Sequence, residues 1–337
     1  MTTVGIRCDA GARTGVGHLV RCVALAEELT ARGVAVRFLS DLGGLPWAER
    51  QLVERGLPWH PAPYDPVGLV AAADRLALDA VVLDSYKLSG EHGAAVRASG
   101  RTVLAVVDGS LRGQVADIYV DQNLDAELLS PALPAGAIRL AGLDYALLRQ
   151  AVREHRSPAP RDRVTRTPKV VAFFGGTDAY RAAPVVARLL IGTGAAFDAT
   201  VVAADESLRA ALLALRPADG QRLEIIDPTD DLPKLLADAD LVVSASGTST
   251  WELLCLGLPA ALVWVVDNQF TGYERTVSRG LAAGLGHLGE PPSDAARQTL
   301  RALLTDPCAR AAIAARGWAA VDGGGVSRVA DALLAAT

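Results

Sequence analysis

The chain has 337 residues, half of them apolar and about a fifth charged, with a net charge of −5. That is too long for one ordinary core and suits two globular domains of similar size. The negative balance, with no basic run, argues against nucleic acid as a partner.

Arg7 and Asp9 interrupt the first apolar run, so no signal peptide is expected. The longest apolar run, Leu256 to Val266, contains Pro259 and is too short to span a bilayer, so no integral membrane segment is expected. Cys8, Cys22, Cys255 and Cys308 are scattered, as are His18, His60, His92, His155 and His287. The pattern predicts buried reduced thiols in a cytoplasmic protein, with neither a metal site nor a cofactor.

Val4-Gly5-Ile6 predicts a first strand. Arg13-Thr14-Gly15-Val16-Gly17-His18-Leu19-Val20-Arg21 follows, opening a helix whose Leu19, Cys22, Val23, Ala26 and Leu29 share one face. His18 then lies in the first turn, beside backbone N–H groups without an intrahelical partner. Gly15 and Gly17 allow a bulky anionic ligand to approach, and the positive helix end favours its charge. An imidazole there can move a proton at an attacking or leaving oxygen. A tight turn with a capping histidine fits the same residues. Asp9 joins this constellation, as does Arg21, which can meet the same anion, orient a partner carboxylate or remain solvated. The third glycine of a dinucleotide fingerprint is missing and no acid closes the second strand at Leu39, which argues against an NAD site.

Val34 to Leu39 reads as the second strand, with a helix through Trp47 to Arg55. Ala80 to Asp84 is a continuous apolar run ended by an acid, the pattern of a buried parallel strand whose C-terminal end reaches the functional edge of a sheet. Asp84-Ser85-Tyr86 there offers an acceptor and a hydroxyl, or simply an N-cap acid and a partly buried tyrosine. Thr102 to Val107 followed by Asp108-Gly109 repeats the pattern, and Asp121-Gln122-Asn123 is a further polar strand end. Ile118 to Val120 and Arg139 to Leu140 suggest short edge strands. Strands alternating with helices imply a doubly wound α/β domain over residues 1–150.

From Arg153 to Lys169 the chain turns charged and Pro-rich, which places a linker over 151–168 and a second domain over 169–337. The second domain opens like the first: strand Val170 to Phe174, then Gly175-Gly176-Thr177-Asp178. With no Lys after the glycines this is not a Walker loop, yet its N–H groups suit a phosphate. Thr200 to Val202, Glu224 to Ile226 and Leu241 to Val243 read as strands, with Ala260 to Val266 as the final one. Two helices close the chain, the last from about Val326 to Ala336, free to pack back on the first domain. Ser244-Ala245-Ser246-Gly247-Thr248-Ser249-Thr250-Trp251-Glu252 is the most specific stretch, continuing to Leu258-Pro259 and Asp267-Asn268-Gln269. Hydroxyls and Gly247 before a helix make a diphosphate seat, and Glu252 can accept two ribose hydroxyls. Ser249 and Glu252 also fit a capping box. Two Rossmann-like domains facing across a cleft are the expected architecture.

The run from Ser244 to Glu252 with Gly257-Leu258-Pro259 and Asp267-Asn268-Gln269 resembles the nucleotide-sugar motif of GT-B enzymes such as MurG. Asp9-Ala10-Gly11, Gly15-Val16-Gly17-His18, Arg21-Cys22, Leu83-Asp84-Ser85-Tyr86, Asp144 to Arg149 and Phe173 to Asp178 occur in the order of the PseG/SpsG family. The resemblance implies a GT-B fold and a nucleotide-sugar hydrolase acting on a UDP-linked amino or deoxy sugar. By it, His18 activates water, Asp84 and Tyr86 lie near the sugar, and Ser246, Gly247, Thr248, Glu252, Asn268 and Gln269 form the nucleotide edge, joined by the Gly175 to Asp178 loop. The alternative is a GT-B glycosyltransferase in which His18 deprotonates a small-molecule or glycan acceptor.

Overall fold

The computed structural model describes residues 2–11, 15–165, 167–290 and 293–337. Arg13 and Thr14, at the head of the glycine-rich stretch, lie outside the described residues. The chain divides into two compact units, Met1–Gln150 with Gly323–Thr337, and Ala151–Asp322.

In the first unit the chain runs β1 (Thr3–Cys8), α1 (Gly17–Ala31), β2 (Ala35–Leu39), α2 (Pro46–Val53), β3 (Trp59–His60), α3 (Pro66–Arg75), β4 (Ala80–Asp84), α4 (Gly90–Ala98), β5 (Thr102–Val106), β6 (Ile118–Asp121) and β7 (Ile138–Ala141). The strands form a parallel sheet in the order β3-β2-β1-β4-β5-β6-β7. Order reverses between β1 and β4, whose carboxyl ends lie side by side with Cys8 opposite Asp84. Ligands of doubly wound sheets bind outside the strand ends at such a switch point. β6, expected at an edge, is interior because β7 pairs beyond it.

The apolar stripe of α1 is fully used: Leu19, Cys22, Val23, Ala26 and Leu29 are buried against β1 and β2. The C-terminal helix (Gly325–Ala336) adds Val326, Val329, Ala330 and Leu333 to the same core. Gly325 permits this, since a Cβ there would stand 2.5 Å from the backbone N and O of Ala146.

The second unit opens with α5 (Gln150–Glu154) and continues β8 (Lys169–Phe173), α6 (Ala182–Gly192), β9 (Phe197–Val202), α7 (Glu206–Leu213), β10 (Gln221–Ile226), α8 (Leu232–Ala237), β11 (Leu241–Ala245), α9 (Ser249–Cys255), β12 (Ala260–Trp264), α10 (Asp267–Ser278), β13 (Ala283–His287), α11 (Asp294–Thr305) and α12 (Pro307–Ala320). Its parallel sheet is ordered β10-β9-β8-β11-β12-β13, with the switch point between β8 and β11. β12 is therefore not the last strand, and among the described residues three helices rather than two follow β13. Between α5 and β8 the described residues form neither helix nor strand, but Arg156 donates to the carbonyls of Cys255 and Trp318 and stacks on the Trp318 ring. This segment is strapped to the second unit. No helix among the described residues is long and apolar enough to cross a membrane.

Candidate functional site

The expected catalytic residues come together at the switch point of the first sheet. Asp84 ends β4 and is wholly buried, while α1 presents His18 and Arg21 three residues apart, on one helix face. His18 Nδ1 lies 2.6 Å from Asp84 Oδ1. Arg21 clamps the same carboxylate from its Nε and Nη2, each at 2.6 Å, and donates from Nη1 to Asp108 Oδ1 at 2.9 Å. Cys22 adds a weak S–H donor 3.4 Å from Asp84 Oδ2. Of the roles left open for Arg21, the structure shows the orienter of carboxylates. Arg21 is 3% exposed, so it is not a solvated helix residue.

Charge explains why these buried groups stay ionised. Burial pushes the Asp84 carboxyl up, but the charge of Arg21 and the hydrogen bonds from Arg21 and His18 outweigh it and hold it well below the usual carboxylate range. For Asp108 burial again opposes, and Arg21 with the Tyr86 hydroxyl brings it down to about 2. Burial disfavours the charge on Arg21, and the two carboxylates more than restore it. An ionised Asp84 facing Nδ1 accepts a proton bond, which assigns the N–H to Nδ1 and leaves Nε2 with the lone pair. The Arg21 Nη2 to His18 Nδ1 approach of 3.1 Å is then a close contact rather than a bond. The His18 side chain is 14% exposed, so the ring is not sealed in.

Tyr86 follows Asp84 by two residues. Its hydroxyl donates to Asp108 Oδ2 at 2.6 Å, and its ring meets His18 edge-on at 4.8 Å. Tyr86 is half exposed, but partial desolvation of its hydroxyl, then the neighbouring Asp108, push the phenol above its ordinary range, so it acts as a donor. Asp108, given no catalytic or binding role on sequence grounds, joins Arg21, Tyr86 and the Asn123 amide. The signal was present in the strand-ending acid that repeats the Asp84 pattern. Asp9, expected among the ligand contacts, faces inward. One oxygen takes the Arg7 guanidinium at 2.5 Å and the Asp41 N–H, and the other takes the Ser85 hydroxyl, so it braces the turn carrying Tyr86. Gly15, at φ +76°, exchanges two backbone bonds with Gly11, and Gly17 is the first residue of α1, where no side chain caps the helix.

The second unit gathers its expected residues on loops after β8, β11 and β12. Ser244 Oγ donates to the Phe173 carbonyl at 2.8 Å, tying β11 to β8 where Gly175 and Ser246 follow. Ser246 is buried, Gly247 is exposed, and the Gly247 N–H points to Thr250 Oγ1 at 3.3 Å. Gln269 Oε1 accepts from the Val265 N–H, and Asn268 is exposed. Two expectations need correction. The Ser249–Glu252 capping box is absent: the N-cap of α9 is Thr248, without a side-chain cap bond, and Glu252 is buried at 5% exposure. Asp178 is not turned toward a ligand but accepts the Ala182 and Ala183 N–H groups at 2.7 and 3.0 Å, filling the start of α6 itself. Burial raises its carboxyl to about 6 although those two bonds pull it down. Gly175, at φ +70°, Gly176 and Thr177 form the turn between β8 and this cap.

Among the described residues no group of three His, Cys, Asp or Glu could hold a metal ion. Cys8, Cys22 and Cys255 are buried, and Cys308, expected to be buried, is exposed.

No family model matches the chain. The spore coat polysaccharide biosynthesis protein SpsG of Bacillus subtilis is 24% identical over 344 residues, covering 97% of this chain and 96% of its own. The structure of MurG from Acinetobacter baumannii superposes with a TM-score of 0.72 at 17% identity, over 99% of this chain and all of that one. The chain has the GT-B fold and is similar to SpsG over nearly its whole length. The chain also superposes on S. aureus MnaA held with UDP (TM-score 0.69, 12% identity, covering 98% and 95% of the two chains). A further match is the spinosyn rhamnosyltransferase SpnG complexed with thymidine diphosphate (TM-score 0.63, 15% identity, 99% and 96%).

Proposed function

We propose that the chain breaks the anomeric carbon–oxygen bond of a nucleoside-diphosphate sugar, with His18 as general base. The observation that carries this is the 2.6 Å contact between His18 Nδ1 and a fully buried, Arg21-clamped Asp84. It fixes the tautomer and leaves Nε2 able to take a proton from an attacking hydroxyl. The hydroxyl oxygen bonds to the anomeric carbon as its proton passes to Nε2, and the nucleoside diphosphate leaves with the bridging oxygen. Positioned proton transfer contributes on the order of 10²–10⁴-fold. In the second unit, Ser246, Gly247, Thr248 and Glu252 are candidate nucleotide contacts, supported by their place after β11 at the switch point of that sheet, with Gln269 after the neighbouring β12 as a further candidate.

Water is the attacking hydroxyl in the first reading, a hydrolase of a UDP-linked amino or deoxy sugar, supported by the resemblance of the His18 and Tyr86 motifs to the PseG/SpsG pattern. A second reading, transfer to an acceptor hydroxyl, is favoured by the likeness to SpnG, a transferase. Incubation with UDP- and TDP-sugars in ¹⁸O-water separates them. Free sugar carrying one ¹⁸O at the anomeric carbon, without any acceptor, supports hydrolysis. Diphosphate release only when an acceptor is added supports transfer. Absence of nucleotide binding and of turnover refutes both.

A further inference from the structure

We infer that Arg112 is an anion-recognition residue beside His18, taking a carboxylate or phosphate carried by the sugar or by the acceptor. The inference rests on the nucleotide-sugar reading for the identity of the ligand, but on the geometry alone for its charge. Arg112 sits in the loop leaving Asp108, with its guanidinium carbon 4.5 Å from the centroid of the Tyr86 ring. The same ring meets His18 edge-on and is anchored to Asp108 through its hydroxyl. A guanidinium is therefore parked one aromatic ring away from the candidate base.

Nothing in the unit demands that charge. Asp108 is already satisfied by Arg21, Tyr86 and Asn123. Among the described residues Arg112 has no carboxylate partner, and its Nε is buried with no hydrogen-bond acceptor. A guanidinium offers five donors, and a buried one left idle is costly. The backbone carries a second cost: Arg112 has φ +48°, a left-handed conformation that side chains with a Cβ rarely adopt.

The loop is built to hold that conformation. Its far side is pressed on α4, where Gly90 and Gly93 let the Gly113 and Val115 carbonyls approach to within 2.0 Å of where a Cβ would be. Gln114 Nε2 donates to the Leu88 carbonyl at 2.7 Å, and the Tyr119 hydroxyl donates to the Gln114 carbonyl at 2.8 Å. The segment just after Arg112 is thus fixed by four contacts, while Arg112 itself is partly open. A planar fork with idle donors, stacked on an aromatic and pre-placed by strained backbone, suits bidentate capture of a carboxylate or phosphate.

The test uses the full chain with Arg112 intact, Arg112→Met, Arg112→Lys and Arg112→Gly, each titrated calorimetrically. One series is UDP, UDP-glucose and UDP-glucuronate. The other is glucose, glucuronate and glucose 6-phosphate, with and without UDP. The expected result is at least tenfold tighter binding of the anionic over the neutral member in one series. That preference falls below threefold in Arg112→Met and Arg112→Gly, is partly kept in Arg112→Lys, and leaves the neutral members unchanged. The first series responding places the anion on the sugar, the second on the acceptor. No preference in the wild type in either series, or a preference that survives Arg112→Met, overturns the inference. So does a tenfold loss of affinity for UDP itself in Arg112→Met, which would assign the residue to the leaving group. Arg112→Gly relieves the strained φ, so its unfolding midpoint should match or exceed the wild type, which separates a lost ligand from a lost fold. Failure of UDP to bind at all refutes the nucleotide reading, while the free-sugar series still decides Arg112.

Discussion

Replacing Arg21 by Met tests whether the network at the first switch point is held by charge. Arg21 is 3% exposed, and its guanidinium supplies three of the short bonds to Asp84 and Asp108. Met has similar length and no charge, so packing is largely kept. Asp84, wholly buried, is left with only His18 and the weak Cys22 donor. Removing one partner of a buried pair costs about 3–5 kcal/mol. For a unit of this size that lowers the unfolding midpoint by roughly 6–20 °C. The chain has two units, so a single global transition is a poor probe. Hydrogen exchange of peptides from β1, β4 and α1 reports the first unit directly, and protection there should fall by roughly 10²–10⁴-fold. The pH dependence has a definite sign. In the wild type Asp84 is held below its unfolded value, so its contribution is present above the usual carboxylate range and is lost as pH falls through the lowered value. In Arg21→Met burial acts unopposed by Arg21, the carboxyl rises, and protonation relieves the cost, so the defect shrinks from pH 7 toward pH 5. Arg21→Met with Asp84→Asn should recover most of the lost protection. Protection within twofold of the wild type, or no recovery in the double variant, refutes the charge argument.

Asp84→Asn alone keeps the shape but allows the wrong His18 tautomer, and turnover should drop on the order of 10²–10⁴-fold with nucleotide affinity unchanged; equal loss of both in a titration would point to a folding defect. Asp178, raised to about 6 by burial, binds a proton more readily folded than unfolded, so the second unit should gain stability as pH falls from about 7 toward 4. Hydrogen exchange of peptides from β8 and α6 in Asp178→Asn should show that gain missing, and an unchanged pH slope would refute the shift. Glu252→Gln should weaken the nucleoside diphosphate about tenfold by calorimetry if Glu252 reads the ribose, whereas unchanged affinity with a lower melting point would give it a packing role.

The fold was readable because buried parallel strands leave a strong mark: Ala80 to Leu83 and Leu241 to Val243 are apolar runs ended by the polar Asp84 and Ser244, and the stripe of α1 has helical period. β13 escaped because Ala283-Gly284-Leu285-Gly286-His287 has no β-branched residue, its strand character coming from pairing with β12. The capping box at Ser249 and Glu252 had the right spacing and the wrong boundary, since α9 begins at Ser249 itself and a one-residue shift removes the motif. Asp178 looked like part of a phosphate loop because the sequence does not reveal that its carboxylate turns back onto α6. The separations within the candidate site, 66 residues from His18 to Asp84 and 87 from Arg21 to Asp108, explain why spacing alone named the residues but not their bonds.

The central claim is that His18, oriented by Asp84, performs proton transfer at a nucleotide sugar. The most direct measurement is release of nucleoside diphosphate from UDP- and TDP-sugars, with and without candidate acceptors, by the wild type and by His18→Ala. The account predicts turnover at least about a hundredfold slower in His18→Ala, with affinity for the nucleotide nearly unchanged. Turnover by His18→Ala within a few-fold of the wild type would contradict it.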